Sequence, residues 1–189
     1  MPANDIISVP DKRLRQTSNR IAVVSEDTKA IIEKMKTATL DWEAQRDSEV
    51  GVALAAVQIG AMDRIVVVRN RPDDKSDKDF ETFINPEIAK YEGEVSEEPE
   101  GCLSIPDIYG VVPRYETVRI KALDIDGTPF RVKVSGFLAR VFQHEIDHLR
   151  GKLFVDHVKE DKFYRIEQDG KLTPLAKAEI EKARILWDC

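Results

Sequence analysis

Two histidines and a glutamate give the segment Phe142-Gln143-His144-Glu145-Ile146-Asp147-His148-Leu149 the richest chemistry in the sequence. In an α-helix residues four apart share a face, so the imidazoles of His144 and His148 point the same way and can hold one divalent metal ion. Glu145 lies about 100° around the helix from His144, given ~3.6 residues per turn, where its carboxylate reaches a water on the ion without being a ligand. This is the H-E-x-x-H arrangement, in which the metal activates water and the glutamate moves its proton. Such a pattern also arises by chance on solvated helix faces, but the chain has only three histidines and two occupy this motif. Two imidazoles leave a tetrahedral catalytic site one protein ligand short when one position is kept for water. The third ligand could be His157, a carboxylate or Cys102. His157 lies beyond the helix end and reads as an ordinary surface or packing residue. Cys102 is the better candidate, because a thiolate binds such ions tightly and Gly101 frees the backbone beside it. The competing reading of Cys102 is a small buried hydrophobe.

The elements that must position these groups can be read around the motif. Gly136 opens the motif helix and Gly151 follows its last turn as a stop signal. Upstream, Pro10 precedes a short helical turn over Asp11–Thr17. Ser25 is an N-cap, followed by Glu26 and Asp27, whose charge suits the positive helix end. Ile31, Ile32, Met35 and Ala38 then recur at helical spacing and predict a helix over 26–42. After a charged stretch, Glu43–Glu49, comes Gly51-Val52-Ala53-Leu54-Ala55-Ala56-Val57-Gln58-Ile59-Gly60. Small residues in series let the backbone approach something closely, although the same composition suits a packed strand or helix start. Arg64–Arg69 is a short β-branched strand. Pro72–Asp79 is a charged loop, Thr82–Ile84 a strand closed by Asn85-Pro86, and Glu92–Glu100 an acidic segment. Val111–Pro113, Thr117–Leu123 and Phe130–Val134 are further strands, with Asp126-Gly127 turning between the last two. Pro174 begins a final helix over 174–187. The fold class expected is α+β: mostly antiparallel strands wrapped around a central metal-binding helix, with N-terminal and C-terminal helices in one domain spanning 1–189.

The totals limit the function classes. At 189 residues the chain fits one domain with a real core. A net charge of −6 argues against a broad basic surface and against sequence-specific nucleic-acid binding. No run of ~18 apolar residues would span a bilayer, and no signal-peptide core precedes Arg15, so no membrane partner and a cytoplasmic location are expected. Two cysteines, Cys102 and Cys189, are too few for a disulfide framework, and Cys189 reads as a free terminal thiol.

Three stretches, Gly51-Val52-Ala53-Leu54-Ala55-Ala56-Val57-Gln58, Glu100-Gly101-Cys102-Leu103-Ser104 and Gln143-His144-Glu145-Ile146-Asp147-His148, together resemble the peptide deformylase family in order and separation. The similarity runs from roughly Pro10 to Asp156. It implies removal of the formyl group from the N-formylmethionine that begins newly made proteins, with release of formate. By the family pattern, Cys102, His144 and His148 hold the metal and a water completes the tetrahedron. Glu145 takes that water's proton and later passes it to the departing amine. The side-chain amide of Gln58 and the backbone N–H of Leu103 stabilise the oxyanion. The resemblance implies Fe²⁺ as the native ion, with Zn²⁺, Ni²⁺ or Co²⁺ in purified protein. It places the substrate in a groove beside Val52, Ala53 and Leu54, held as an added strand. Val52, Phe137, Val141 and His144 surround the methionine side chain. Glu100 and Gly101 lie near that pocket, Glu100 orienting a loop, and Asp147 pairs with Arg114 in support of the helix. One departure is Ala53, where the family usually has glycine; its methyl would narrow the groove or strain a positive φ.

The alternative reading is a zinc metalloprotease using the same helix, with a third ligand such as His157 or Glu160. A non-catalytic formyl-peptide or metal-binding protein is a further reading, at odds with the presence of Glu145 and Gln58. Related enzymes can dock near the ribosomal exit through a basic C-terminal helix, and Lys177, Lys182 and Arg184 offer such charge. Glu179, Glu181 and Asp188 dilute it, and a helix packed on the domain is the simpler expectation.

Overall fold

The computed structural model describes residues 5–46, 49–159 and 161–188. Cys189, Glu160 and the centre of the charged stretch 43–49, each interpreted from sequence above, lie outside the described residues. The first helix, α1 (Glu26–Glu43), starts where the cap chemistry puts it. The Ser25 hydroxyl accepts from the Thr28 N–H, and the Thr28 hydroxyl accepts in turn from the Ser25 N–H. Before it, the 3₁₀ turn Lys12–Arg15 is capped by Asp11.

Among the described residues seven strands follow in one antiparallel sheet: β1 (Ala53–Ala55), β2 (Ile65–Arg69), β3 (Phe80–Cys102), β4 (Ile105–Leu123), β5 (Pro129–Ser135), β6 (Phe163–Ile166) and β7 (Leu172–Pro174). Their order is β1-β2-β3-β4-β6-β7, with β5 also paired to β4. The motif helix, α2 (Phe137–His148), lies against one face of this sheet and α1 against the other. β2 shows why its residues are apolar throughout: Val66 and Val68 join the cluster containing Phe142 and Leu149, whereas Ile65 and Val67 join that of Ile32, Met35 and Trp42. Phe83 of β3 meets Phe142 of α2 edge-on, ring centroids 4.7 Å apart. A third cluster buries Cys102 and Phe163 against Ile180 and Trp187 of α3 (Lys177–Trp187). Among the described residues no helix is long and apolar enough to cross a membrane.

The structure changes several boundaries. Asn85-Pro86 marks a bulge in β3 rather than an end, with Asn85 at φ 51° and the register shifting between Ile84 and Glu87. The acidic segment Glu92–Glu100, to which the sequence assigned no element, is part of β3, and the two fragments at 111–123 are one continuous β4. Residues 89–99 of β3 are largely exposed on both faces and bury no apolar stripe, and they are held by the backbone ladder to β4 and pairs such as Glu92–Arg119. The last helix begins at Lys177, because Pro174 ends β7 instead. The β6–β7 hairpin has no counterpart in the predicted elements.

Helix α1 is tied to the start of β1 by a buried ion pair. Arg69 donates to Glu43 at 2.7 Å and to the Gly51 carbonyl at 3.0 Å, while Glu43 accepts the Gly51 N–H at 3.0 Å. A Cβ on Gly51 would lie 2.6 Å from the Thr39 methyl and 3.0 Å from its carbonyl, so only glycine lets the chain pass α1 this closely. Arg69→Met would leave the buried Glu43 carboxylate only the exposed Lys78 ammonium at 3.0 Å as a counter-charge, and urea denaturation is expected to show a loss of about 3 kcal/mol, the low end for breaking a buried pair.

Candidate active site

The hairpin between β3 and β4 turns tightly through Leu103 and Ser104, with Cys102 paired to Ile105. That turn carries the Cys102 thiol beneath α2. Along α2, Arg140, His144 and His148 are four apart and share one buried face. The imidazoles of His144 and His148 lie with centroids 4.9 Å apart. The Cys102 Sγ is 3.2 Å from His148 Nε2, and the three candidate ligand atoms all lie within 4.8 Å of one another. Two imidazole nitrogens and a sulfur so close together and shielded from solvent fit a divalent ion of borderline softness.

The protonation of each imidazole follows from its neighbours. Glu100 Oε2 lies 3.1 Å from His144 Nδ1 and can only accept, so Nδ1 carries the proton and Nε2 keeps its lone pair for a metal. Burial holds His148 well below its ordinary pKa, leaving its ring neutral. Glu100 does more than orient a loop, the role expected from sequence: it fixes the ring of His144. Burial raises the Glu100 pKa, but hydrogen bonds from His144 and Arg114 outweigh it and bring the group down to about 2. Its two oxygens accept from Arg114 at 3.0 and 3.1 Å, and Oε1 also accepts from Arg140 at 2.9 Å. The expected partner of Arg114 is present too, with Nη1 2.6 Å from Asp147 Oδ2.

Glu145 is 5% exposed, and its Oε2 has no partner among the described residues. Burial pushes its carboxyl up to about 7. A carboxylate with such a proton affinity, beside a metal site, can both take and return a proton near neutral pH. Gln58 is 1% exposed and its amide orientation is dictated by donors. The Ala55 N–H can only donate and lies 2.9 Å from Oε1, so Nε2 faces Ser104 Oγ at 3.1 Å and Cys102 Sγ at 3.6 Å.

A cavity of about 360 Å³ opens over these groups. Val52, Ala53, Gln58, Glu100, Gly101, Cys102, Leu103, Phe137, Val141, His144 and Glu145 line it, as do Trp42, Tyr109 and Arg140, which the sequence did not single out. Leu54 is the exception among the expected lining residues. It is fully buried in the α1 cluster, because alternate side chains of a strand point to opposite faces. Ala53 shows ordinary extended backbone rather than a positive φ, so its methyl occupies cavity wall without strain. β1 is an edge strand, and Arg69 N–H bonds the Val52 carbonyl. In an antiparallel ladder the next residue then turns its N–H and C=O away from β2, which sets Ala53 towards the open edge.

Arg140 had a readable signal, since it sits four residues before His144 on the same helix face. Tyr109 had none: it is brought in by the β4 backbone, its ring packs against Gly101 and its hydroxyl donates to Glu49 at 3.2 Å. His157 is not with the metal-ligand cluster, and its Nε2 bonds Asp147 instead.

Fold and site define a metallohydrolase-type centre on a central helix, closed by a cysteine from a neighbouring hairpin. The comparisons with known proteins name it more closely. Residues 3–164 match the family described as Polypeptide deformylase. A peptide deformylase from Thermomicrobium roseum is 47% identical over 163 residues, covering 85% of this chain and 88% of that protein. One from Tolumonas auensis is 41% identical over 181 residues, covering 95% and 99%. Among solved structures, a peptide deformylase from Legionella pneumophila superposes with a TM-score of 0.73 at 35% identity, covering 97% of this chain and 92% of its own. One from Synechococcus elongatus in complex with actinonin gives 0.74 at 34% identity, covering 85% and 81%. The chain belongs to the peptide deformylase family.

Because Glu100 fixes the metal-facing nitrogen of His144, Glu100→Gln is expected to weaken metal affinity by about 10–100-fold. Competition with a chromophoric chelator measures it.

Proposed function

We infer that this chain hydrolyses the formyl group from the N-terminal N-formylmethionine of newly made proteins, releasing formate and a free amine. The observation that carries the reading is the convergence of Cys102, His144 and His148 beside Glu145, whose Oε2 has no partner among the described residues, in a chain of this family.

A divalent ion held by Cys102 Sγ and the two imidazoles would supply Lewis acidity, bringing a water within reach of deprotonation near neutral pH. Glu145 takes the proton as the water oxygen bonds to the formyl carbon. The Nε2 of Gln58 and the N–H of Leu103 are the donors assigned to the oxygen on which charge develops. As the C–N bond breaks, Glu145 returns the proton to the leaving nitrogen, so one carboxyl serves as base and then acid. The peptide runs along the open edge of β1, exchanging backbone hydrogen bonds with Ala53, and the methionine side chain enters the wall of Val52, Phe137, Val141, Glu100 and Gly101. Leu54 takes part through its backbone alone.

The N₂S donor set suits Fe²⁺, Zn²⁺, Ni²⁺ and Co²⁺, and Fe²⁺ is the ion proposed in the cell. The whole chain is proposed to act as one catalytic unit, since Ile180 and Trp187 of α3 share an apolar cluster with Cys102. That burial, and the pairing of Arg184 with Asp161, favour a packed α3 over a helix free to dock on a ribosome. The proposed location is cytoplasmic, where formylated nascent chains arise. A protease reading is not favoured, because His157, one of its two candidate third ligands, is engaged by Asp147, and the other, Glu160, lies outside the described residues.

Metal-replete protein is expected to release formate from formyl-Met-Ala-Ser and to leave unformylated peptides intact. Cleavage of an internal peptide bond, with no formate, would overturn the reading. Gln58→Ala should lower kcat by roughly 10²–10³ by removing one oxyanion donor. Glu145→Gln should keep its metal, by elemental analysis, while losing turnover.

A further inference from the structure

We propose that His157, half-exposed and outside the substrate cavity, is a positioning residue for the metal centre. The proposal rests on the metal-dependent reading above. The chain of contacts is continuous. His157 Nε2 lies 2.8 Å from Asp147 Oδ2, and since a carboxylate only accepts, His157 donates. The same Oδ2 accepts from Arg114 Nη1 at 2.6 Å. Arg114 then holds both oxygens of Glu100 through Nε and Nη2, and Glu100 Oε2 accepts from His144 Nδ1 at 3.1 Å. Every member of this relay is a planar group. A guanidinium gripped at one end by Asp147 and at the other by Glu100 cannot tilt at one without tilting at the other. The orientation of the Asp147 carboxylate therefore reaches the imidazole that would bind metal.

His157 is well placed to set that orientation. It ends the 3₁₀ turn Phe154–His157, which is anchored by Asp156 accepting from the Leu153 N–H at 2.9 Å and from Arg15 at 2.6 Å. Asp147 lies on α2 one residue before His148, so the turn that follows the helix braces the helix from outside. The His157 side chain, 29% exposed, faces a separate cavity of about 260 Å³ lined also by Tyr91, Tyr115, Arg150 and Lys152. None of these four lines the substrate cavity. A change at His157 should thus alter the metal ligand and leave the peptide groove as it is.

The test uses full-length, zinc-loaded protein and three variants. His157→Phe keeps the ring volume and deletes the donor, and His157→Asn stops short of Asp147, a second route should the first not fold. His157→Gln restores a donor at similar reach. Zinc release to excess chelator should quicken by about ten-fold in the Phe or Asn variant and return to within a few-fold of wild type in the Gln variant. In turnover, kcat should fall in parallel while KM holds. Combined with Asp147→Asn, the His157 substitution should add less than it does alone, because both act through one contact. Wild-type release rate and kcat in the Phe and Asn variants would overturn the proposal. So would a lower Tm with both unchanged, which is the signature of a merely structural contact. Failure of the wild-type protein to hold zinc or release formate would instead sink the underlying functional reading.

Discussion

A single buried carboxylate organises the centre of this molecule. Glu100, 6% exposed, accepts from Arg114, Arg140 and His144 together. An isolated carboxylate in such a place would take up a proton rather than stay charged. Here the two arginines and the two carboxylates Glu100 and Asp147 balance one another before any histidine is counted. The outcome is geometric as well as electrostatic. Strand β3 brings Glu100, strand β4 brings Arg114 and helix α2 brings Arg140 and His144, so each element constrains the other two. The same strand that supplies Glu100 ends, two residues later, in Cys102. The thiol and the imidazole ring are thus placed by one hairpin, and the ring nitrogen left over is the one that can bind metal.

The substrate side of the cavity depends on a different buried pair. Glu43 of α1 and Arg69 of β2 both bond the backbone of Gly51, which fixes where the edge strand β1 begins. β1 is only three residues long and would have no stability alone. It is held by its ladder to β2 and by Gln58, whose amide ties Ala55 to Ser104 in the β3–β4 turn. The proposed oxyanion donor is therefore also a strut between the edge strand and the cysteine hairpin. Gln143 does comparable work behind the site, bonding both the N–H and the carbonyl of Tyr115 and so clamping β4 to α2.

Local signals in the sequence were strongest where local physics governs. Ser25 as a cap, the apolar spacing of α1, the β-branched run of β2 and the Gly136–Gly151 brackets of α2 all act within a few residues, and each element appears as read. Prediction failed where structure is sustained from a distance. Residues 89–99 of β3 are largely exposed on both faces and rich in glutamate, so no apolar stripe marks them as a strand, and Asn85-Pro86 looked like an end although it is a bulge. The short β6 and β7 strands bury little beyond Phe163, which gives too weak a pattern to stand out from turn residues.

The sequence by itself determined the candidate donors and the family. His144, Glu145 and His148 share a helix by spacing alone, and the three stretches around Gln58, Cys102 and His144 carry enough identity in order to name the relationship. Tertiary structure alone decided which nitrogen of His144 is free, because that depends on a carboxylate 44 residues away. It also decided that Leu54 turns from the cavity while Ala53 presents its backbone to the open edge, since strand alternation has no direction until a sheet defines two faces. Arg140, Tyr109 and His157 owe their places to the same cause. Helical and strand periodicity fix what shares a face, but only the packing of distant segments fixes what that face meets.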